Sequence, residues 1–277
     1  MIITILVDNN TLIDRYYLAE PGLSLHIRTE NQSILFDLGY SDIFIRNALK
    51  LGINLYDIDH VVFSHGHLDH TWGLDSLIRL YNEAGFEGHS YKTPAILAHP
   101  KTFERVMFKT KIEFGSMISE ERLTPHFRLD LNDKPVELTP RLMYLGEIPR
   151  VFDFENQLTF GRKASESAAD RVPDDTALAY ASDAGLVIIT GCSHSGICNI
   201  IEHAKNICGV DKIADIIGGL HLIDPPASQL NGTVEYLKKT APTALHACHC
   251  TDLASKIELS KAADLKEVGV GMQLTYS

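Results

Sequence analysis

Asp59-His60-Val61-Val62-Phe63-Ser64-His65-Gly66-His67-Leu68-Asp69-His70 is the stretch whose reading decides the fold. Its first half is a short apolar run, expected as a buried strand. Its second half packs four metal-capable side chains into six residues. Two histidines one residue apart, then a carboxylate and a third histidine, cannot share one face of a regular helix or strand. The spacing fits a tight loop leaving a strand and wrapping round an ion. Imidazole and carboxylate together suit zinc, iron or manganese better than calcium or magnesium.

Similar strand-then-ligand patterns recur along the chain. Asp37 follows Ser33-Ile34-Leu35-Phe36, and Cys192 and His194 follow Leu186-Val187-Ile188-Ile189-Thr190-Gly191. His221 follows Ile216-Ile217-Gly218-Gly219-Leu220, and His249 follows the strand expected from Thr243. In α/β proteins ligands bind beyond the carboxyl ends of strands, so five such ends point to a shared centre. Helical spacing is expected over Ser41 to Leu51, with Ser41 as N-cap, and over Asp75 to Ala84, Ser195 to Ile207 and Asn231 to Lys239. A hairpin is expected to turn at Asp183-Ala184-Gly185. Alternating strands and helices in both halves argue for an α/β sandwich with helices outside. Residues 101–171 carry four of the eleven prolines and no clear period, and are expected as an irregular insertion or lid.

The 277 residues, 45% hydrophobic, suffice for one large domain, expected over 1–277. No apolar run approaches the ~18 residues of a membrane helix, and five cysteines without a disulfide framework suggest a reducing, cytoplasmic setting. The net charge of −11 argues against nucleic acid as a partner and leaves room for a small, anionic substrate.

The motif His65-x-His67-x-Asp69-His70, with Phe36-Asp37-x-Gly39 before it, resembles that of the metallo-β-lactamase superfamily. The resemblance implies a four-layer αββα sandwich with the site between two sheets. It implies two divalent metal ions, zinc first, with iron or manganese as alternatives. His65, His67 and His194 would hold one ion, and Asp69, His70 and His249 the other. Asp37 would orient a ligand imidazole. Cys192 stands where the superfamily usually has a bridging aspartate. It is read as a thiolate ligand, a group behind the ligands, or a small buried residue.

Asp69 would also orient a metal-bound hydroxide, and His221 would act as general acid or phosphate contact. Arg150 and Asp175 are candidates to reach substrate. Thr190-Gly191-Cys192-Ser193-His194, Gly218-Gly219-Leu220-His221-Leu222 and Cys248-His249-Cys250 resemble a subgroup that includes archaeal dihydropterin-aminobenzene phosphate synthases. The first expectation is hydrolysis of a small phosphoester or phosphodiester. A transferase acting on a pterin pyrophosphate is the alternative, and a non-catalytic metal- or ligand-binding protein a further one. Strand alternation places Cys248 and Cys250 pointing away from His249.

Overall fold

A computed structural model describes residues 1–109, 111–165 and 168–277. In chain order the strands are β1 (Ile2–Val7), β2 (Ser24–Arg28), β3 (Ser33–Phe36), β4 (His60–Val62), β5 (Ala95–Ala98), β6 (Val106–Phe108), β7 (Ile112–Glu113) and β8 (Arg128–Leu131). They continue with β9 (Val136–Thr139), β10 (Leu142–Tyr144), β11 (Arg162–Lys163), β12 (Ala177–Ser182), β13 (Gly185–Thr190), β14 (Ile213–Gly219), β15 (His246–Cys248) and β16 (Gln273–Thr275). The helices are α1 (Ile43–Lys50), α2 (Leu68–Thr71), α3 (Gly73–Phe86), α4 (Glu120–Leu123), α5 (Ile197–Cys208), α6 (Ala227–Thr240) and α7 (Leu253–Leu259).

The chain packs as two compact units. Unit 1 is residues 1–132, 160–170 and 269–275, and unit 2 is residues 133–159, 171–268 and 276–277.

Unit 1 holds a seven-stranded sheet in the order β16-β1-β2-β3-β4-β5-β8. From β3 to β8 the neighbours run parallel. Parallel strands end side by side, so the loops after β3 and β4, which carry Asp37 and His65, are adjacent. Phe44 and Ala48 of α1 and Leu74, Leu77 and Tyr81 of α3 bury an apolar face in the core with Leu35, Val61, Phe63 and Ile96. Gly73 opens α3 where a side chain cannot fit: a Cβ there would meet the Leu38 carbonyl oxygen at 2.1 Å.

Unit 2 holds a six-stranded sheet, β15-β14-β13-β12-β10-β9. The expected hairpin forms from β12 and β13, and β14 and β15 add to it in parallel. β13 and β14 are mostly apolar and buried along their whole length, the signature of a strand covered on both faces. Ile197, Ile200, Ile201 and Ala204 of α5 pack against Ile188 and Ile216. α5 stops at Gly209, whose φ of 65° closes a left-handed cap.

Two expectations need correction. α1 starts at Ile43 with Asp42 in the cap position; Ser41 instead accepts from the Ile43 amide through its hydroxyl. Residues 101–171 are far from uniformly irregular. β8 joins the large sheet of unit 1, β9 and β10 join the sheet of unit 2, and β6, β7 and β11 form a small separate sheet in unit 1.

Candidate functional site

In unit 1 the four ligand-type residues escape the problem of a shared face by sitting on three kinds of backbone. His65 lies in the loop after β4, His67 is the extended residue capping α2, and Asp69 and His70 occupy the first turn of that helix. The rings of His65 and His67 come within 4.5 Å of each other, centroid to centroid, and those of His65 and His70 within 4.2 Å. All three histidines are buried, while the Asp69 carboxylate is partly exposed and 3.8 Å from His70 Nε2.

Asp37 organises this cluster. Its Oδ1 accepts from the Ser64 amide at 2.7 Å, and its Oδ2 accepts from the Ser64 hydroxyl at 2.6 Å and lies 2.7 Å from His70 Nδ1. The Ser64 hydroxyl has one proton, already given to Asp37, so it accepts from His65 Nδ1 at 2.9 Å. Both imidazoles therefore carry their proton on Nδ1 and present Nε2 as the acceptor nitrogen on the other side of the ring. Such partners fix the tautomer of metal-binding histidines. The donor set of unit 1, three buried imidazoles and a carboxylate, fits a zinc-class divalent ion.

Unit 2 brings a second set together. Cys192, His221 and Cys250 each offer a ligand atom, and these lie within 4.8 Å of one another. His194 is buried, and its ring centroid is 4.4 Å from that of His221. Ser193, His221 and His249 all take positive φ, at 60°, 48° and 51°. Each stands just past one of three adjacent parallel strands. Left-handed backbone at non-glycine residues is uncommon and clusters at working sites.

The turn at His249 also explains why Cys250 was missed from sequence. Alternation does not continue through a left-handed residue, so Cys250 points to Cys192 and His221. Its thiol donates to the Cys192 carbonyl at 3.6 Å and its sulfur accepts from the His221 amide at 3.2 Å. Burial pushes this thiol up, but the contact with Cys192, the His249 charge and the His221 contacts outweigh it and hold it well below the usual thiol range.

Asp175 and Arg150, the candidates to reach substrate, both make hydrogen bonds within unit 2. Asp175 is fully buried and accepts from the Ser195 amide at 2.8 Å, which pins the loop carrying His194. Burial raises its carboxyl to about 6, against the pull of the Ser195 hydrogen bonds. Arg150 donates to the Val172 carbonyl at 2.7 Å. Glu155, also missed, is buried and accepts from the Cys198 and Asn199 amides at 3.0 Å each, satisfying the first turn of α5. No sequence signal marks a cap placed forty residues before its helix.

Aromatic residues next to the strands of the small sheet border His67 within unit 1. Phe114 and Phe160 lie 4.6 and 5.6 Å from its ring, and the two phenyl planes are 6° from parallel with centroids 6.5 Å apart. Phe108 extends this wall and is 36% exposed. Among the described residues no helix is long and apolar enough to cross a membrane.

Comparisons with known proteins show the family and the fold. The chain is 33% identical over 249 residues to 7,8-dihydropterin-6-methyl-4-(β-D-ribofuranosyl)-aminobenzene-5′-phosphate synthase of Methanocaldococcus jannaschii, covering 84% of this chain and 81% of that protein. It is 30% identical over 260 residues to an uncharacterized protein of the same archaeon, covering 94% of each. A crystal structure described as a metal-dependent hydrolase of the β-lactamase superfamily matches with a TM-score of 0.81 and 24% identity, over 100% of this chain and 99% of that one. The family model of the metallo-β-lactamase superfamily matches residues 18–206. The chain has the metallo-β-lactamase fold and belongs to that superfamily.

Proposed function

We propose that this chain is a metal-dependent enzyme acting on a phosphorylated small molecule, with phosphoester hydrolysis as its reaction. The observation that carries the reading is the Asp37-organised cluster, which turns the Nε2 atoms of His65 and His70 away from their strand-end anchors. In this reading His65, His67 and His194 hold one ion, and Asp69, His70 and His249 a second. Zinc suits the nitrogen-rich set, and iron or manganese would be accepted by the same ligands. When bound, the ions supply Lewis acidity to a phosphoryl oxygen and lower the pKa of water toward neutrality.

The chain's own groups do the rest. Asp69, partly exposed on the first turn of α2, orients the attacking water by accepting its hydrogen bond. His221, half-buried past β14, gives a proton to the departing oxygen, work for which an imidazole is suited.

One pair of observations favours a second reading, transfer to an amine from a pterin pyrophosphate. The Methanocaldococcus jannaschii relative is named as a pterin-linked synthase, and the phenyl wall beside His67 offers a face to a flat ring. In that reaction a carbon–nitrogen bond forms as diphosphate leaves.

The test is turnover by zinc-loaded protein. Phosphate or alcohol release from simple phosphodiesters, lost in His65→Ala, supports hydrolysis. Diphosphate release that needs an arylamine acceptor supports transfer. Stoichiometric zinc with no turnover of either kind overturns both and returns the chain to a binding role.

A further inference from the structure

We propose that Cys192, His221 and Cys250 form a soft-metal site within unit 2, one that takes a thiophilic ion such as zinc or cadmium. Three observations support it. The three ligand atoms lie within 4.8 Å of one another, inside the spread that ligands round a single ion need, and both thiols are buried. The backbone is shaped to leave them there. A Cβ at Gly219 would fall 2.4 Å from Cys250 Sγ, so the absent side chain makes the room the sulfur occupies. The left-handed turn at His249 swings Cys250 toward the other two.

The chemistry of the set selects the ion. Two sulfurs and one imidazole match zinc-class ions, and a set of three protein ligands leaves the remaining position of a tetrahedral ion open. The His221 amide already donates to Cys250 Sγ at 3.2 Å, a hydrogen bond that disperses charge on a ligating thiolate. Binding replaces the thiol protons, which pass to solvent. Metal binding at this site does not require the reaction proposed above, although His221 belongs to both. One consequence does rest on that reading. An ion held by His221 removes the proton donor, so thiophilic metal in excess inhibits.

Cadmium titration of metal-stripped protein reads the thiolates directly through the ultraviolet sulfur-to-cadmium band. The expected result is a band of two-thiolate intensity, halved in Cys192→Ser and in Cys250→Ser, lost in the double variant, and unchanged in Cys198→Ser. Persistence of the band in the double variant overturns the proposal. X-ray absorption on wild-type protein carrying one cadmium needs no variant to fold. Two sulfur neighbours are expected, and a shell of nitrogen and oxygen alone overturns the site. A failure of phosphoester turnover leaves both readouts unaffected, so the two readings fail separately.

Discussion

Asp37 Oδ2 lies 2.7 Å from His70 Nδ1 with both side chains fully buried, and the same oxygen accepts from Ser64, which in turn holds His65. One carboxylate thus aligns two imidazoles that stand five residues apart. Asparagine tolerates the φ of 57° at this position but cannot accept at both of its terminal atoms. Asp37→Asn is therefore expected to fold and to bind zinc about 10–100-fold more weakly. Competition with a chromophoric chelator measures this, and unchanged affinity would show that the imidazoles align without it.

Gly196 makes a comparable demand in unit 2. Its φ is 100°, and a Cβ there would fall 2.2 Å from a Glu155 carboxylate oxygen that belongs to the cap of α5. Gly196→Ala must either distort the backbone or expel the cap. A loss of about 2–4 kcal/mol is expected in urea unfolding, from backbone strain and lost hydrogen bonds together. A loss below about 1 kcal/mol, no larger than an ordinary surface change, would mean that the loop relaxes freely.

His26 on β2 gives the fold a pH dependence away from the site. Burial, and then the charge of Arg28, depress its pKa from 6.5 to about 4. The unfolded chain takes up a proton near pH 6.5 that the folded chain refuses until near pH 4. Stability from this residue is complete above pH 6.5 and declines as pH falls toward 4. His26→Gln can keep a hydrogen bond to Ser33 without titrating, and should flatten urea midpoints across that window. Parallel pH profiles of variant and wild type would remove His26 as the cause.

Phe114 distinguishes the two enzymatic readings. If the wall beside His67 holds a flat ring, Phe114→Ala should raise KM for ring-bearing substrates by about 5–50-fold, the loss of one stacking contact with its buried area. Small aliphatic phosphodiesters should be little affected. Equal effects on both classes would assign Phe114 to packing around His67.

The legible parts of the molecule were those written locally. The run from Asp59 to His70 announced a strand, a loop and a metal-ligand set because its polar residues break every regular period. The parallel order of β13, β14 and β15 was foreshadowed by apolar runs ending in Cys192, His221 and His249. What stayed hidden was short or written non-locally. The strands within residues 101–171 are two to four residues long, too short to show a period, and β10 also pairs with β12 across more than thirty residues. Asp175 reads like any surface carboxylate until its burial beneath Ser195 is seen. Cys250 was misdirected by one backbone angle, that of His249.

The left-handed residues at 37, 193, 221 and 249 carry a lesson for anyone who would retool this scaffold. Each is a hairpin bend in a road that otherwise runs straight along a buried strand, and valine, isoleucine or threonine would be barred there by shape alone. A combinatorial library should hold these four bends to asparagine, aspartate, glycine or the native residue and randomise what lies beyond them. The strands would then act as fixed posts, and new chemistries could be hung on them without the frame having to be rebuilt.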